Sequence, residues 1–117
     1  MLSWLETLQI RKMSSASRKG YRSQAEAAEE YKKRGWTVFV PQKSKYGAQD
    51  IFGMFDLVTI SPDGSEIHFV QVKTNNTRGF LKKLEDWREN HNVKKVEWRL
   101  MVRLDARKFK RRWKVYR

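Results

Sequence analysis

Two β-rich runs flank a tight turn signal near the middle of this chain, and they constrain its fold more than any other feature. Phe55-Asp56-Leu57-Val58-Thr59-Ile60 precedes Ser61-Pro62-Asp63-Gly64, and Ile67-His68-Phe69-Val70-Gln71-Val72-Lys73 follows. β-Branched and aromatic residues favour strands, while Pro, Asp and Gly set turns. The spacing predicts an antiparallel hairpin. Pairing residue 60 with 67 leaves the loop Ser61 to Glu66 and sets Asp56 across from Gln71, with Cβ atoms about 5 Å apart. A tighter pairing, 60 with 65, sets Asp56 opposite Phe69 with Gln71 on the diagonal. In both registers strand alternation puts Asp56, Gln71 and Lys73 on one face at one end of the sheet. A carboxylate and a lysine in otherwise apolar strands are costly to bury without partners or a purpose.

The rest of the chain supplies helices and further strands. Met1 to Lys12 carries Leu2, Leu5 and Leu8 with Trp4, a short helical stripe, and residues 1–13 read as an appendage or an interface helix. Ser14 to Lys19 reads as a linker or a helix start. Tyr21 to Arg34 is rich in helix formers and stops at Gly35. Its inward face is expected to hold Gln24, Ala27, Ala28 and Tyr31. Trp36 to Val40 reads as a strand ending at Pro41, and Gln42 to Gln49 as a polar loop. Asn75, Asn76 or Thr77 is placed to cap a helix with Phe80, Leu81, Leu84 and Trp87 on its stripe. Val96, Trp98, Leu100, Val102 and Leu104 predict a strand buried on one face. Trp113 to Tyr116 is a last short strand. The order predicts one α/β domain over residues 1–117, a three-layer-like sandwich around a mixed β-sheet.

Composition narrows the class of partner. Lys and Arg number 26 and Asp and Glu 13, so 26 − 13 gives a formal net charge of +13. A surplus that large in a small domain favours a polyanion, nucleic acid first and an anionic membrane surface second. No apolar run reaches the roughly 18 residues needed to span a bilayer. The N-terminus lacks the order of a signal peptide. With no cysteine, disulfides, thiol nucleophiles and Cys-type zinc sites are excluded. A cytoplasmic protein, or one intracellular in a host cell, is expected.

The polar cluster has usable chemistry. Asp56 and the Gln71 side-chain oxygen are hard donors suited to Mg2+ or Mn2+. Lys73 can position or help deprotonate a water, or offset phosphate charge. The alternative is a solvated sheet face with Asp56 and Lys73 as a surface ion pair of little consequence. Asp50, six residues before Asp56, is roughly 20 Å away on a continuous strand. Either a bend at Gly53 brings it closer or it caps the strand. His68 and His91 are lone histidines without metal-ligand spacing, and His68 lies on the face opposite Gln71.

These residues resemble the PD-(D/E)xK nuclease superfamily, and within it small archaeal and viral nucleases of the Holliday-junction-resolvase type. The likeness covers roughly Lys19 to Asn75: Lys19-Gly20-Tyr21, an Ala/Glu-rich helix, Gly35-Trp36-Thr37-Val38, Asp56-Leu57-Val58 and Val70-Gln71-Val72-Lys73. The resemblance implies a restriction-endonuclease-like core of helix, three strands, helix and strand. It implies a Mg2+-dependent deoxyribonuclease, acting on branched or junction DNA and commonly dimeric. Asp56, Gln71 and a helix glutamate would hold the metal, with Lys73 at the attacking water. The alternative is a non-catalytic basic DNA-binding module on the same fold.

The chain departs from the family pattern. Gln71 stands where the family has an acid, and Phe55 where the name-giving proline would be. The inward helix position is Gln24 rather than a glutamate. Glu26 is the nearest carboxylate, yet on a regular helix it points about 200° from Gln24. Ser23-x-x-Glu26 also fits a capping box. Glu26, Glu29, Glu30 or no glutamate completes the site. Lys43, Lys45, Arg78, Lys82 and Lys83 flank it in sequence. Arg103, Arg107, Lys108, Lys110, Arg111, Arg112, Lys114 and Arg117 form a second basic stretch suited to phosphate contacts. Trp36, Trp87 and Trp98 fit core stripes, leaving Trp113 and Tyr46 as candidate base-stacking platforms.

Overall fold

A computed structural model of the chain describes residues 15–41, 50–105 and 112–117, with backbone alone at 15–19. The elements run α1 (Ser15–Lys33), β1 (Thr37–Phe39), β2 (Leu57–Ile60), β3 (Ile67–Thr74), α2 (Phe80–Asn90), β4 (Val96–Arg103) and β5 (Trp113–Tyr116). The N-terminal stripe, the polar loop with Lys43, Lys45 and Tyr46, and Arg107 to Arg111 lie outside the described residues. No described helix is long and apolar enough to cross a membrane.

The strands form one mixed sheet in chain order. β1, β2 and β3 are antiparallel neighbours. β4 runs parallel to β3, and β5 antiparallel to β4. Parallel neighbours need a crossover, which α2 supplies. The chain is therefore α/β, with a five-stranded mixed sheet and two helices.

The hairpin adopts the 60–67 register. Its loop explains the choice. Ser61 N–H donates to Glu66 O at 3.0 Å, and Gly64 N–H to Ser61 O at 3.0 Å. Gly64 takes a left-handed φ of 73°, which glycine adopts without strain. Asp63 Oδ1 accepts the Ser61 and Ser65 hydroxyls, each at 2.7 Å, and the Ser65 N–H at 3.0 Å. These donors favour the charged carboxylate and pull its pKa down to about 2. A lowered carboxylate pKa makes the contribution complete above the unfolded value of 3.8 and lost as pH falls toward about 2. An NMR carboxyl titration should therefore give Asp63 a midpoint near 2; a midpoint near 4 would mean the serine bonds do not form in solution.

Each face of the sheet has its own core. On one, Ala27 and Tyr31 of α1 pack on Leu57, Val70, Val72 and Met101. On the other, Phe80 and Leu84 of α2 pack with Phe55, Trp98, Leu100 and Val102. Ala27 and Tyr31 are four residues apart, hence on one helical stripe.

Several expectations need correction. β4 is buried on both faces, because Met101 belongs to the α1 core and Leu100 and Val102 to the α2 core. A strand flanked by β3 and β5 with a helix on each face has no solvent side. α2 is capped by Gly79 in a left-handed conformation with no side-chain bond, rather than by Asn75, Asn76 or Thr77. Asn75 is drawn away: its N–H reaches Arg103 O and its Oδ1 accepts Asp105 N–H, both at 2.8 Å. Ser23 and Glu26 form no capping box, since α1 starts eight residues earlier at Ser15. Trp113 packs on the α1 core, so it is not an open stacking platform. Leu81 faces solvent.

Candidate functional site

The strand alternation that produces β2 breaks at Asp56. Phe55 belongs to the α2 core and Leu57 to the α1 core, and the chain bends at Asp56 between them. Continuing the β2–β3 register by one step would put Asp56 across from Gln71. Instead Asp56 straddles that residue. Its backbone N–H donates to Val70 O at 2.8 Å, and its Oδ2 accepts Val72 N–H at 2.8 Å. The carboxylate thus takes the place of a backbone carbonyl at the end of the ladder. That bond gives the buried carboxyl group a hydrogen-bond partner.

Gln71 and Lys73 are half-buried on the face of β3 opposite Val70 and Val72. Lys73 Nζ lies 5.9 Å from the Phe80 ring centre, which places it at the start of α2. Asp50 opens a tight turn in which its carbonyl accepts Gly53 N–H at 3.1 Å. Gly53 has φ 68°, and Ile51 pairs back onto Phe55. The bend at Gly53 is therefore real, and Asp50 is exposed at its outer end.

The helix glutamates are engaged elsewhere. Arg103 Nε donates to Glu26 Oε2, and Arg112 Nη2 lies 3.5 Å from the same oxygen. Nearby, Ser23 Oγ and Thr74 Oγ1 bond at 2.7 Å. Alternation sets Thr74 on the α1 side of β3, with Val70 and Val72. Glu26 is thus drawn to the α1 side and Lys73 to the α2 side. Glu29 and Glu30 each pair with the lysine three residues on, Lys32 and Lys33, at 3.8 Å.

Tested against a hard divalent ion, these donors fit in part. Mg2+ is usually held by one or two carboxylates, with waters and substrate phosphate completing its shell. Asp56 supplies one such carboxylate, and Gln71 on the adjacent strand an amide oxygen. Glu26 does not add to these while two guanidinium groups hold its carboxylate.

Of the expected DNA-binding residues, Arg78 and Lys82 are exposed beside the first turn of α2. Lys82 pairs with Asp86 at 3.2 Å. Arg112 is exposed and turned toward Glu26. α2 has no acidic residue in its first turn, so its positive end carries no local counter-charge. That end and Lys73 make one basic corner.

A second polar cluster escaped the sequence reading. His68 is only 3% exposed, and its Nε2 faces Glu97 and Glu66. Glu97 Oε2 lies 2.8 Å from Nε2 and Glu66 Oε1 3.8 Å. The Glu97 contact lacks the alignment of a hydrogen bond, so Nε2 has no hydrogen-bond partner. On the other side of the ring, Nδ1 and Tyr31 OH are 3.0 Å apart. Arg99 Nη2 reaches Glu97 Oε2 at 3.0 Å and Arg99 Nη1 reaches Tyr31 OH at 3.4 Å. Burial lowers the His68 pKa, the Arg99 charge adds to this, and Glu97 and Glu66 oppose it; the net shift is downward. Burial raises the Tyr31 hydroxyl above its usual value, against the pull of Arg99. Burial would raise Glu97 too, but the Arg99 bond and charge outweigh it and the carboxyl ends up lowered. The sequence did hold half of the signal: Glu66-x-His68 spaces two ligating types two residues apart where the hairpin loop enters β3. Glu97 arrives only through the β3–β4 register, in which His68 pairs with Glu97.

No protein-family model, curated protein or solved structure matches this chain.

Proposed function

We propose that this chain is a metal-dependent DNA endonuclease on a restriction-endonuclease-like core, hydrolysing phosphodiester bonds, with branched or junction DNA as its preferred substrate. The observation that carries the reading is the bend at Asp56. It fixes a carboxylate on the backbone of Gln71-Val72-Lys73 through the Val72 N–H. The order of helix, three antiparallel strands, crossover helix and parallel strand also agrees with what the resemblance implies. Asp56 and Gln71 would hold Mg2+ or Mn2+, which supplies Lewis-acid polarisation of the phosphate and a more acidic water. Lys73 orients the attacking water and offsets charge that develops on the phosphate. The start of α2, which has no side-chain cap and no acidic residue in its first turn, gives the flanking phosphates a positive surface with Arg78 and Lys82 beside it. The net charge of +13 favours a polyanion over any neutral substrate.

A second reading rests on a specific observation. Gln71 is neutral and Glu26 is held by Arg103 and Arg112, so Asp56 is the one carboxylate assigned to the site. On that reading the fold binds DNA and does not cut it.

The test is incubation of the purified chain with duplex, single-stranded and branched DNA in Mg2+ and in Mn2+. Cleavage, with branched DNA cut fastest, is the expected result. Intact DNA throughout, together with salt-sensitive binding and no calorimetric Mg2+ uptake, would leave only the binding module.

A further inference from the structure

We propose that Glu66, His68 and Glu97 form a binding site for a divalent transition ion of the zinc class. It is separate from the Asp56 region.

One ligand atom from each of the three residues can be chosen so that all lie within 4.8 Å of one another. Tetrahedral bonds of about 2.0–2.2 Å to imidazole nitrogen and carboxylate oxygen put ligand atoms roughly 3.3–3.6 Å apart, so the exposed Glu66 side chain would close in as an ion binds. The second observation is the histidine itself. Its Nε2 is buried and lies 2.8 Å from a Glu97 oxygen and 3.8 Å from a Glu66 oxygen, with neither aligned as a hydrogen bond. Leaving such an atom unsatisfied is unfavourable, and a bound cation would satisfy it. Its Nδ1 is already fixed by Tyr31 OH, the arrangement by which a neighbouring group orients a metal-bound imidazole. The outer position is Glu66, whose side chain is 55% exposed, so solvent can reach the site through the hairpin loop.

Arg99 bears on which ion fits. It holds Glu97 in place at 3.0 Å, but its charge repels a cation and offsets one carboxylate. Mg2+, which depends on carboxylate charge, is disfavoured there. Zn2+ gains from imidazole and is less affected. The site would join the end of the β2–β3 hairpin to β4 beneath α1. His68 and Lys73 are five residues apart along β3, roughly 17 Å, and on opposite faces. The proposal therefore stands whether or not the Asp56 region is catalytic.

The experiment is a titration of the chelator-treated full chain with Co2+, read by its visible bands, and with Zn2+, read by calorimetry. One equivalent of each should bind. Glu66→Gln and Glu97→Gln should each weaken Zn2+ at least about tenfold. Tyr31→Phe, which keeps the ring in the core, should weaken it about 10- to 100-fold, as loss of an orienting partner does. Glu66 is on the surface, so Glu66→Gln keeps the test valid if Glu97→Gln fails to fold. Absence of stoichiometric binding, or Zn2+ affinity unchanged in Glu66→Gln, would overturn the proposal and leave a buried hydrogen-bonded network.

Discussion

Replacing Asp56 by asparagine should lower Mg2+-dependent DNA cleavage about a thousandfold, which is roughly 4 kcal/mol of transition-state stabilisation. It should leave the fold nearly intact. The separation follows from the two roles of this carboxylate. Its Oδ2 accepts the Val72 N–H and so ends the β2–β3 ladder. An asparagine oxygen has the same shape and accepts the same proton. What it lacks is the charge that binds a divalent ion. Asp56→Ala removes both roles. The Val72 N–H would be left buried without a partner, at about 1–3 kcal/mol, so this variant should also melt earlier. Circular dichroism melts beside cleavage rates distinguish the two. Full cleavage by a folded Asp56→Asn protein would remove Asp56 from the site.

The largest effect on stability is expected at Leu57. Its side chain is fully buried against Ala27, Tyr31, Val70, Val72 and Met101, and it begins β2 directly after the bend. Leu57→Ala should cost about 2–5 kcal/mol through lost burial and the cavity left behind. In a domain of this size that lowers the melting temperature by several degrees per kcal/mol. Leu81→Ala is the matched control. Leu81 lies one residue from buried Phe80 but is 40% exposed, so its loss should change stability by less than about 0.5 kcal/mol. Equal destabilisation of the two variants would contradict the assignment of the buried face of α2.

Local patterns in the chain were enough for its local structure. Pro62, Asp63 and Gly64 between two β-rich runs marked the hairpin. The period of Ala27 and Tyr31 marked the inner face of α1. The α/β order followed from alternating strand and helix signals. What could not be read depended on distant neighbours. β4 looks one-sided because Glu97, Arg99 and Arg103 alternate with apolar residues, yet these charged groups are held by partners from other elements. Glu97 and Arg99 meet His68 and Tyr31, and Arg103 meets Glu26. Burial of a charged side chain becomes intelligible only once that partner is known. Gly79 took the helix start from three better capping residues, of which Asn75 is committed to Arg103 and Asp105.

The candidate site divides in the same way. Asp56, Gln71 and Lys73 were visible as polar intrusions in apolar strands, and parity placed them at one end of the hairpin. The bend that turns Asp56 onto the Val72 N–H was not visible, because alternation assumes a regular strand. Glu26 was chosen by proximity in sequence. Arg103 and Arg112, 77 and 86 residues away, hold its carboxylate. His68 looked solitary because its nearest carboxylate comes from a parallel neighbour reached through α2.

The central claim is that the Asp56 and Lys73 region cuts DNA. The most direct measurement compares wild type with Lys73→Ala on duplex, single-stranded and branched DNA in Mg2+, with binding followed across a salt series. The account predicts cleavage by wild type, its loss in Lys73→Ala, and DNA binding that persists with a log-affinity against log-salt slope reduced by about one. Wild-type protein that leaves every DNA intact, or a Lys73→Ala variant that cuts as fast as wild type, would contradict it.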